Sequence, residues 1–440
     1  MIATAEGAGS TVSARTRRKA ILAASIGNFI EWFEYTLFGL FAAAIATNFF
    51  PSGSASLIAT FAVFGVAFVL RPLGALTFGN LGDRMGRRTI LAVVILGMSA
   101  ATFAIGALPT YDSVGVLAPA LLLIARVVQG FSAGGEFGGA TAFMVEYAPP
   151  GRRAFHGSWQ FFTQFLGALL ASAVGTLLNI GVSEDALTTW GWRIPFLLTL
   201  PLGLIGLYLR LRLDETPEFT TAEHGRNSDK APLLVTLREH RRTLTLIICL
   251  IISGTTATYM IEAFFPAYLV EEVGLPQMQM FAAMLIGMSL LVALIPLWGW
   301  LSDRIGRRKP FLVASPVGLV LFGVPIYWLL LQGHLPTTIT AYVALALALS
   351  PSLGVLATVM ADLFPTEVRY SGLSLAYSTP VSLFGGFTPL ILTGIIDASG
   401  NPLSAGVYLT GTAVISLIGA VLIRETGPGG SPAAERRATK

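Results

Sequence analysis

Five ionisable residues stand where the sequence is otherwise apolar: Glu31, Glu34, Arg71, Arg126 and Glu262. Such groups are costly in a low-dielectric interior unless they line water, hold a ligand or face one another. A carboxylate there can take up and release a proton, because desolvation favours its neutral form and a nearby guanidinium its charged form. An arginine there can anchor an anion through paired N–H bonds. Arg126 lies about ten residues into its apolar stretch, near 15 Å at about 1.5 Å per residue. Glu34 lies about 14 residues into another, entered from the opposite end, and Glu31 stands one turn before it. Opposite charges at one depth predict an ion pair between Arg126 and Glu34 or Glu31. The roles that follow are Glu34 as proton carrier with Glu31 as modulator, and Arg126 as substrate anchor with Arg71 as a second anchor. A permanent structural bridge is the competing reading. Tyr35, Gln129, Gln160, Gln164 and Tyr259 are candidates to line the same site, Gln160 and Gln164 sharing one helix face. Glu262, flanked by Tyr259, Phe264, Phe265 and Tyr268, either touches substrate or marks the outer rim.

Other chemistries find little support. Cys249 is the one cysteine, so there is no disulfide framework and no cysteine metal site. The four histidines make no metal-ligating spacing. No nucleophile, metal or cofactor is implied, and an enzyme reading has nothing to stand on.

The elements that must position these residues follow from composition. Of 440 residues, 54% are hydrophobic, 12% are charged and 47 are Gly, a balance that a soluble domain of this length could not hide. Twelve stretches are long enough to cross roughly 30 Å of hydrocarbon: 20–47, 57–81, 89–109, 115–147, 155–180, 192–212, 243–270, 278–301, 310–331, 337–364, 372–396 and 404–424. Of the 28 Lys and Arg, 25 fall on one side of these spans. The positive-inside rule makes that side cytoplasmic, with both termini there and the protein multi-pass in the inner membrane. The net charge of +4 reflects basic loops facing an anionic leaflet and needs no nucleic acid. Arg71, Arg126 and Arg193 fall outside the basic set; Arg193, beside Glu184 and Asp185, reads as an outer-surface anchor. Residues 1–19 form a cytoplasmic tail, 20–213 one six-span bundle, 214–242 a polar linker, 243–424 a second bundle and 425–440 a second tail.

Two internal repeats support this division. Gly79-Asn-Leu-Gly-Asp83-Arg84-Met-Gly86-Arg87-Arg88 recurs 220 positions later as Gly299-Trp-Leu-Ser-Asp303-Arg304-Ile-Gly306-Arg307-Arg308. Glu146-x2-Pro149-x3-Arg153-x4-Ser158 recurs at 216 as Asp362-x2-Pro365-x3-Arg369-x4-Ser374. Gly79 and Gly299 suit close helix contact, and Gly86 and Gly306 a tight turn. Asp83 and Asp303 can cap the next helix and pair with a base across the seam between halves. Gly130, Gly134 and Gly138 form a further small-residue face, in which Glu136 serves packing or gating.

These loops, with Asp214-Glu215-Thr216-Pro217-Glu218-Phe219, resemble the sugar-porter branch of the major facilitator superfamily. Gly27-Asn28-Phe29-Ile30-Glu31-Trp32-Phe33-Glu34-Tyr35, Arg126-Val-Val-Gln129-Gly130-Phe-Ser-Ala-Gly134-Gly135-Glu136 and Gly191-Trp192-Arg193-Ile194-Pro195-Phe196 are similar to its metabolite:H+ symporters. The resemblance implies an all-α membrane protein with the major facilitator fold, 12 transmembrane helices in two six-helix bundles. It also implies partners for the loop motifs at Glu146, Arg153, Asp362 and Arg369, forming a cytoplasmic gate that opens and closes in alternating access. An acid at Glu262 departs from the subfamily's aromatic or polar pattern there.

The function expected is proton-coupled import of a small organic acid, a mono-, di- or tricarboxylate, by a monomer in the lipid bilayer. Deep arginines in the first half without matching cations in the second favour an anion. The second choice is a zwitterion such as a betaine or proline, held by Arg126 at its carboxylate and by Glu262 and aromatics at its cationic end. Only 16 residues follow Arg424, without heptads, which argues against an osmosensing betaine transporter with a coiled-coil tail. A drug/H+ antiporter lacks its Gly-Pro signature, since Ser158 to Ile180 holds no Pro. A transporter-like sensor would need a signalling domain that the sequence does not show.

Overall fold

The computed structural model describes residues 13–51, 55–212, 215 and 232–427. Most of the 214–242 linker and the outer parts of both tails lie outside the described residues. Every regular element among the described residues is helical, as hydrocarbon requires of a chain whose backbone N–H and C=O groups must bond within their own segment.

Among the described residues twelve helices are long and apolar enough to span, counting the first as one helix bent by 64°. They are α1 (Ala14–Leu40, continued by Ala42–Phe49), α2 (Ala55–Met85), α3 (Arg87–Ala107), α4 (Leu117–Glu146), α5 (Arg153–Gly181) and α6 (Arg193–Leu211) in the first half. The second half holds α7 (Arg241–Tyr259, continued by Phe265–Glu271), α8 (Gln277–Ile305), α9 (Lys309–Leu330), α10 (Leu335–Leu363), α11 (Arg369–Pro380, continued by Thr388–Ser399) and α12 (Ser404–Leu422). A short helix, Pro232–Glu239, precedes α7. Large apolar side chains such as Leu117, Ile180, Leu321 and Leu390 remain exposed, as lipid-facing positions must.

The halves repeat one packing plan: α1 lies against α5 and α6 as α7 lies against α11 and α12, and α2 against α4 as α8 against α10. The seam is built by α2 on α11 and by α5 on α8, with α4 and α10 crossing behind. Its tightness on the motif-bearing face follows from glycine. A Cβ on Gly79 would lie 2.9 Å from Ser371 Cα, and one on Gly299 2.8 Å from the Ala154 carbonyl oxygen, both across the seam. Gly86 and Gly306 take φ of 97° and 76°, the turns their positions require.

Two spans of the second half contain π-helical turns, Met260–Phe264 in α7 and Val381–Gly385 in α11. The sequence reading treated both spans as uninterrupted. Such turns leave carbonyls and side chains free for other use, and they hold Glu262 and Ser382.

Candidate functional site

The motif-bearing face is closed by two symmetric clamps. Asp83 is buried at the end of α2, and its carboxylate accepts from the backbone N–H groups of Tyr370 (3.1 Å) and Ser371 (2.8 Å) at the start of α11. Asp303, at the end of α8, accepts from the N–H groups of Ala154 (3.0 Å) and Phe155 (2.8 Å) at the start of α5. The expectation that each aspartate caps the next helix is corrected: each caps a helix of the opposite half. A helix start presents unpaired N–H groups and positive potential, so the carboxylate and the helix dipole fit directly.

Charges reinforce the clamps. Glu146 bridges Arg87 of its own half and Arg369 of the other, while Asp362 bridges Arg308 of its own half and Arg153 of the other, the latter at 3.0 Å. Arg307, expected in this gate, is exposed, and Arg308 takes the position instead. Arg84 and Arg304 are also exposed, Arg304 lying over the Trp300 ring. Two residues missed by the sequence reading complete the unit. Glu215 accepts from the Arg88 N–H at 3.1 Å, and Glu425 from the Arg308 (2.9 Å) and Lys309 (3.2 Å) N–H groups, capping α3 and α9. Burial alone would raise the Glu425 carboxyl, but these backbone N–H bonds outweigh it and hold its pKa below the usual carboxylate value. Glu-Thr at 215–216 and 425–426 was the signal available in the sequence.

The interior holds the other charges, and here the pairing differs from expectation. Glu31 pairs with Arg71, not Arg126, and Glu136 with Arg210. Glu34 accepts from Ser99 Oγ and Thr102 Oγ1, each at 2.8 Å, and makes no ion pair with an arginine among the described residues. Arg126 makes no ion pair among the described residues. It donates to Gln129 Oε1 and to the Phe64 carbonyl oxygen (2.9 Å) and lies over the rings of Phe38, Phe64 and Tyr35. Position along a span does not fix which way its helix faces. Rotation of α1 sends Glu34 toward α3 and Glu31 toward α2.

Glu262 is the matching opposite case. It makes no ion pair among the described residues, and its enclosed Oε1 has no hydrogen-bond partner. Residues 126 and 262 each lie nine positions from the end of their spans on the face opposite the motifs, in Leu117–Glu146 and Arg241–Glu271. They therefore enter at one depth from opposite halves.

Between the halves lies a small cavity of about 30 Å³, lined among others by Trp32, Gln164, Thr255, Tyr259 and Tyr377, while Arg126 and Glu262 lie outside its lining. Gln164 accepts from Tyr377 Oη at 3.2 Å. Gln160 is not a lining residue: its side-chain N–H donates to Asn28 Oδ1 at 2.7 Å, fastening α5 to α1. Tyr35 is buried against Phe68, whose ring meets Tyr259 of the other half with centroids 5.5 Å apart. Of the aromatics around Glu262, Phe264 and Tyr268 stack on each other and Phe265 packs on Tyr342, so they belong to the core. Pro72 cannot donate to the Phe68 carbonyl one turn earlier, and Ser382 Oγ of the α11 π-turn donates there instead, across the seam. Arg193 donates to the Gly106 and Leu108 carbonyls at 2.7 Å each. No group of His, Cys, Asp and Glu among the described residues could hold a metal.

Comparison with known proteins places this geometry in context. The family model described as Major Facilitator Superfamily matches residues 24–317, and that for Sugar (and other) transporter matches 220–427. The glycine betaine/proline/ectoine/pipecolic acid transporter OusA of Dickeya dadantii is 39% identical over 435 residues, covering 95% of this chain and 86% of that protein. The proline/betaine transporter of Escherichia coli K12 is similar to the same extent, 39% over 435 residues with 95% and 86% covered. Among solved structures, the proton:xylose symporter XylE bound to 6-bromo-6-deoxy-D-glucose superposes with a TM-score of 0.77 at 16% identity, covering 98% of this chain and 100% of that one. The expectation of a mono-, di- or tricarboxylate is overturned by the first two, which are carriers of zwitterions. It failed because it gave the deep arginines more weight than Glu262; the second choice, a zwitterion such as a betaine or proline, agrees better with these relatives.

Proposed function

Since this chain belongs to the major facilitator superfamily, we propose that it is a proton-coupled symporter importing a small zwitterion of the betaine or proline type by alternating access. The observation that carries this reading is that Arg126 on α4 and Glu262 on α7, each nine positions from the end of its span on the face opposite the motifs and on opposite halves, make no ion pair among the described residues. A lone buried charge is destabilising until a partner arrives. A substrate with a carboxylate at one end and an ammonium at the other supplies both partners at once and joins the two halves.

In this scheme Arg126 takes the carboxylate, with Gln129 and the Tyr35 ring fixing the guanidinium. Glu262 and Tyr259 take the ammonium end, Tyr259 offering a ring face to a quaternary or secondary ammonium. Glu34 carries the proton. Glu31 modulates it and holds Arg71 as a second cation beneath Trp32 and Tyr35. The basic face is cytoplasmic by the positive-inside rule, both termini lie on that side, and the bilayer is the inner membrane. The clamps at Asp83, Asp303, Glu146 and Asp362 then form the cytoplasmic gate. Substrate held between Arg126 and Glu262 draws the outer ends of the halves together and sets those clamps free to part.

The test is uptake into proteoliposomes of labelled glycine betaine, proline and succinate, with and without an inward proton gradient. Gradient-driven accumulation of the zwitterions and not of succinate supports the reading. Accumulation of succinate alone, or zwitterion uptake indifferent to the gradient, is incompatible with it.

A further inference from the structure

Arg126 and Glu34 do not touch, yet an unbroken line of buried hydrogen bonds connects them. Arg126 Nη1 donates to Gln129 Oε1, Gln129 Nε2 donates to Thr102 Oγ1 at 2.7 Å, and Thr102 Oγ1 donates to Glu34 Oε2 at 2.8 Å. All four side chains are fully buried. We infer that Thr102 is the positioning residue that makes substrate binding at Arg126 and protonation of Glu34 depend on each other.

The argument is one of hydrogen-bond capacity. A threonine hydroxyl has one proton to donate and two lone pairs to accept with. Gln129 occupies one lone pair. The proton has two acceptors in reach, Glu34 Oε2 at 2.8 Å and the Met98 carbonyl oxygen at 3.0 Å. While Glu34 is a carboxylate, the hydroxyl points to it, and each bond in the line polarises the next. Gln129 is then held firmly, with its carbonyl on Arg126. When a proton is added at Glu34 Oε2, that O–H becomes a donor, and the free lone pair of Thr102 receives it. The Thr102 hydroxyl turns to Met98, the pull on Gln129 weakens, and Arg126 is released to meet a carboxylate. Protonation therefore favours substrate binding, and by linkage substrate binding favours protonation to the same degree. Both ligands then load together, as symport requires.

Ser99 is the internal control. Its hydroxyl donates to Glu34 Oε1 at the same 2.8 Å, but no bond runs from it to Arg126. The other charged and titratable groups near Glu34 are Glu31 and Tyr35 on α1, Arg71 on α2, Arg126 and Glu136 on α4 and Arg210 on α6. Glu31 and Glu136 are each tied to their own arginine, which leaves the Thr102 line as the connection to Arg126.

The inference rests on the proton-coupled reading above, and the experiment separates the two. Glycine betaine counterflow and gradient-driven accumulation are measured for the wild type, Thr102→Val, Thr102→Ser and Ser99→Ala in proteoliposomes. Thr102→Val is expected to keep counterflow while gradient-driven accumulation falls about tenfold, within the range of measured coupling energies. Thr102→Ser should restore accumulation, and Ser99→Ala, which removes a bond to Glu34 but leaves the Gln129–Thr102–Glu34 line in place, should lower accumulation less than Thr102→Val does. Wild-type accumulation in Thr102→Val overturns the inference, as does joint loss of counterflow and accumulation that Thr102→Ser does not repair. A wild type that transports betaine without responding to the gradient overturns the coupled reading itself and the inference with it.

Discussion

Asp83→Asn is the perturbation whose size the structure specifies best. The wild-type carboxylate accepts from two backbone N–H groups at the start of α11, at 3.1 and 2.8 Å, and is 1% exposed. An amide keeps one acceptor, turns an N–H toward the second donor and removes the charge from the positive end of the helix. Loss of a cap costs roughly 0.5–2 kcal/mol and loss of a favourable dipole contact in a partly buried site up to about 2. We therefore expect about 2 kcal/mol against the closed form of the motif-bearing face, roughly a thirtyfold shift toward its open form. Asp303→Asn, at a more exposed clamp, should cost about 1 kcal/mol, roughly fivefold. Spin labels at Arg84→Cys and Glu367→Cys, two exposed positions flanking the α2–α11 seam, with Cys249 replaced by Ser, report the opening as a distance distribution. Asp83→Asn should populate the longer distance, slow net uptake and leave substrate binding measurable. A distribution and an uptake rate equal to the wild type would refute the clamp.

Three further outcomes follow from the same geometry. Arg126→Gln removes the charge-assisted bonds to the substrate carboxylate, worth about 3 kcal/mol, and should weaken glycine betaine binding roughly 100-fold by equilibrium binding to purified protein. Glu262→Gln should weaken betaine and proline binding about tenfold, for a contact worth roughly 1.4 kcal/mol, while leaving the closed-face distances unaltered. Gly134→Ala places a Cβ against the Arg71 carbonyl and 2.5 Å from the Ala75 nitrogen, which forces α4 from α2 at a cost of about 1–3 kcal/mol and should lower the Tm in detergent.

Much of the architecture was legible in the sequence, because charge is expensive in hydrocarbon and so appears only where it serves something. The doubled Gly-Asp-Arg-Gly loop marked the two halves, and the family resemblance pointed to Glu146, Arg153, Asp362 and Arg369 as loop partners, which the structure joins in ion pairs across the seam. What stayed hidden depends on angle rather than depth. Glu31 and Glu34 differ by three residues, close to one turn, yet that offset sends one to Arg71 and the other to Ser99 and Thr102. The exchange of Arg307 for Arg308 arises likewise, from the left-handed turn at Gly306 that sets which arginine faces inward. Thr102 gave no signal at all, since a threonine in an apolar stretch reads as ordinary helix until its neighbours are known. The π-turns of α7 and α11 were equally silent, since nothing in local composition distinguishes them from regular helix.

The most direct test of the central claim is the reversal condition in proteoliposomes, at which an outward glycine betaine gradient is balanced by imposed pH and voltage differences. A zwitterion carries no net charge, so a cycle moving one substrate with one proton moves one positive charge. Net flux should then vanish when the betaine gradient equals the sum of the pH and voltage differences, one proton per substrate. A null point that ignores both the pH difference and the voltage would contradict it.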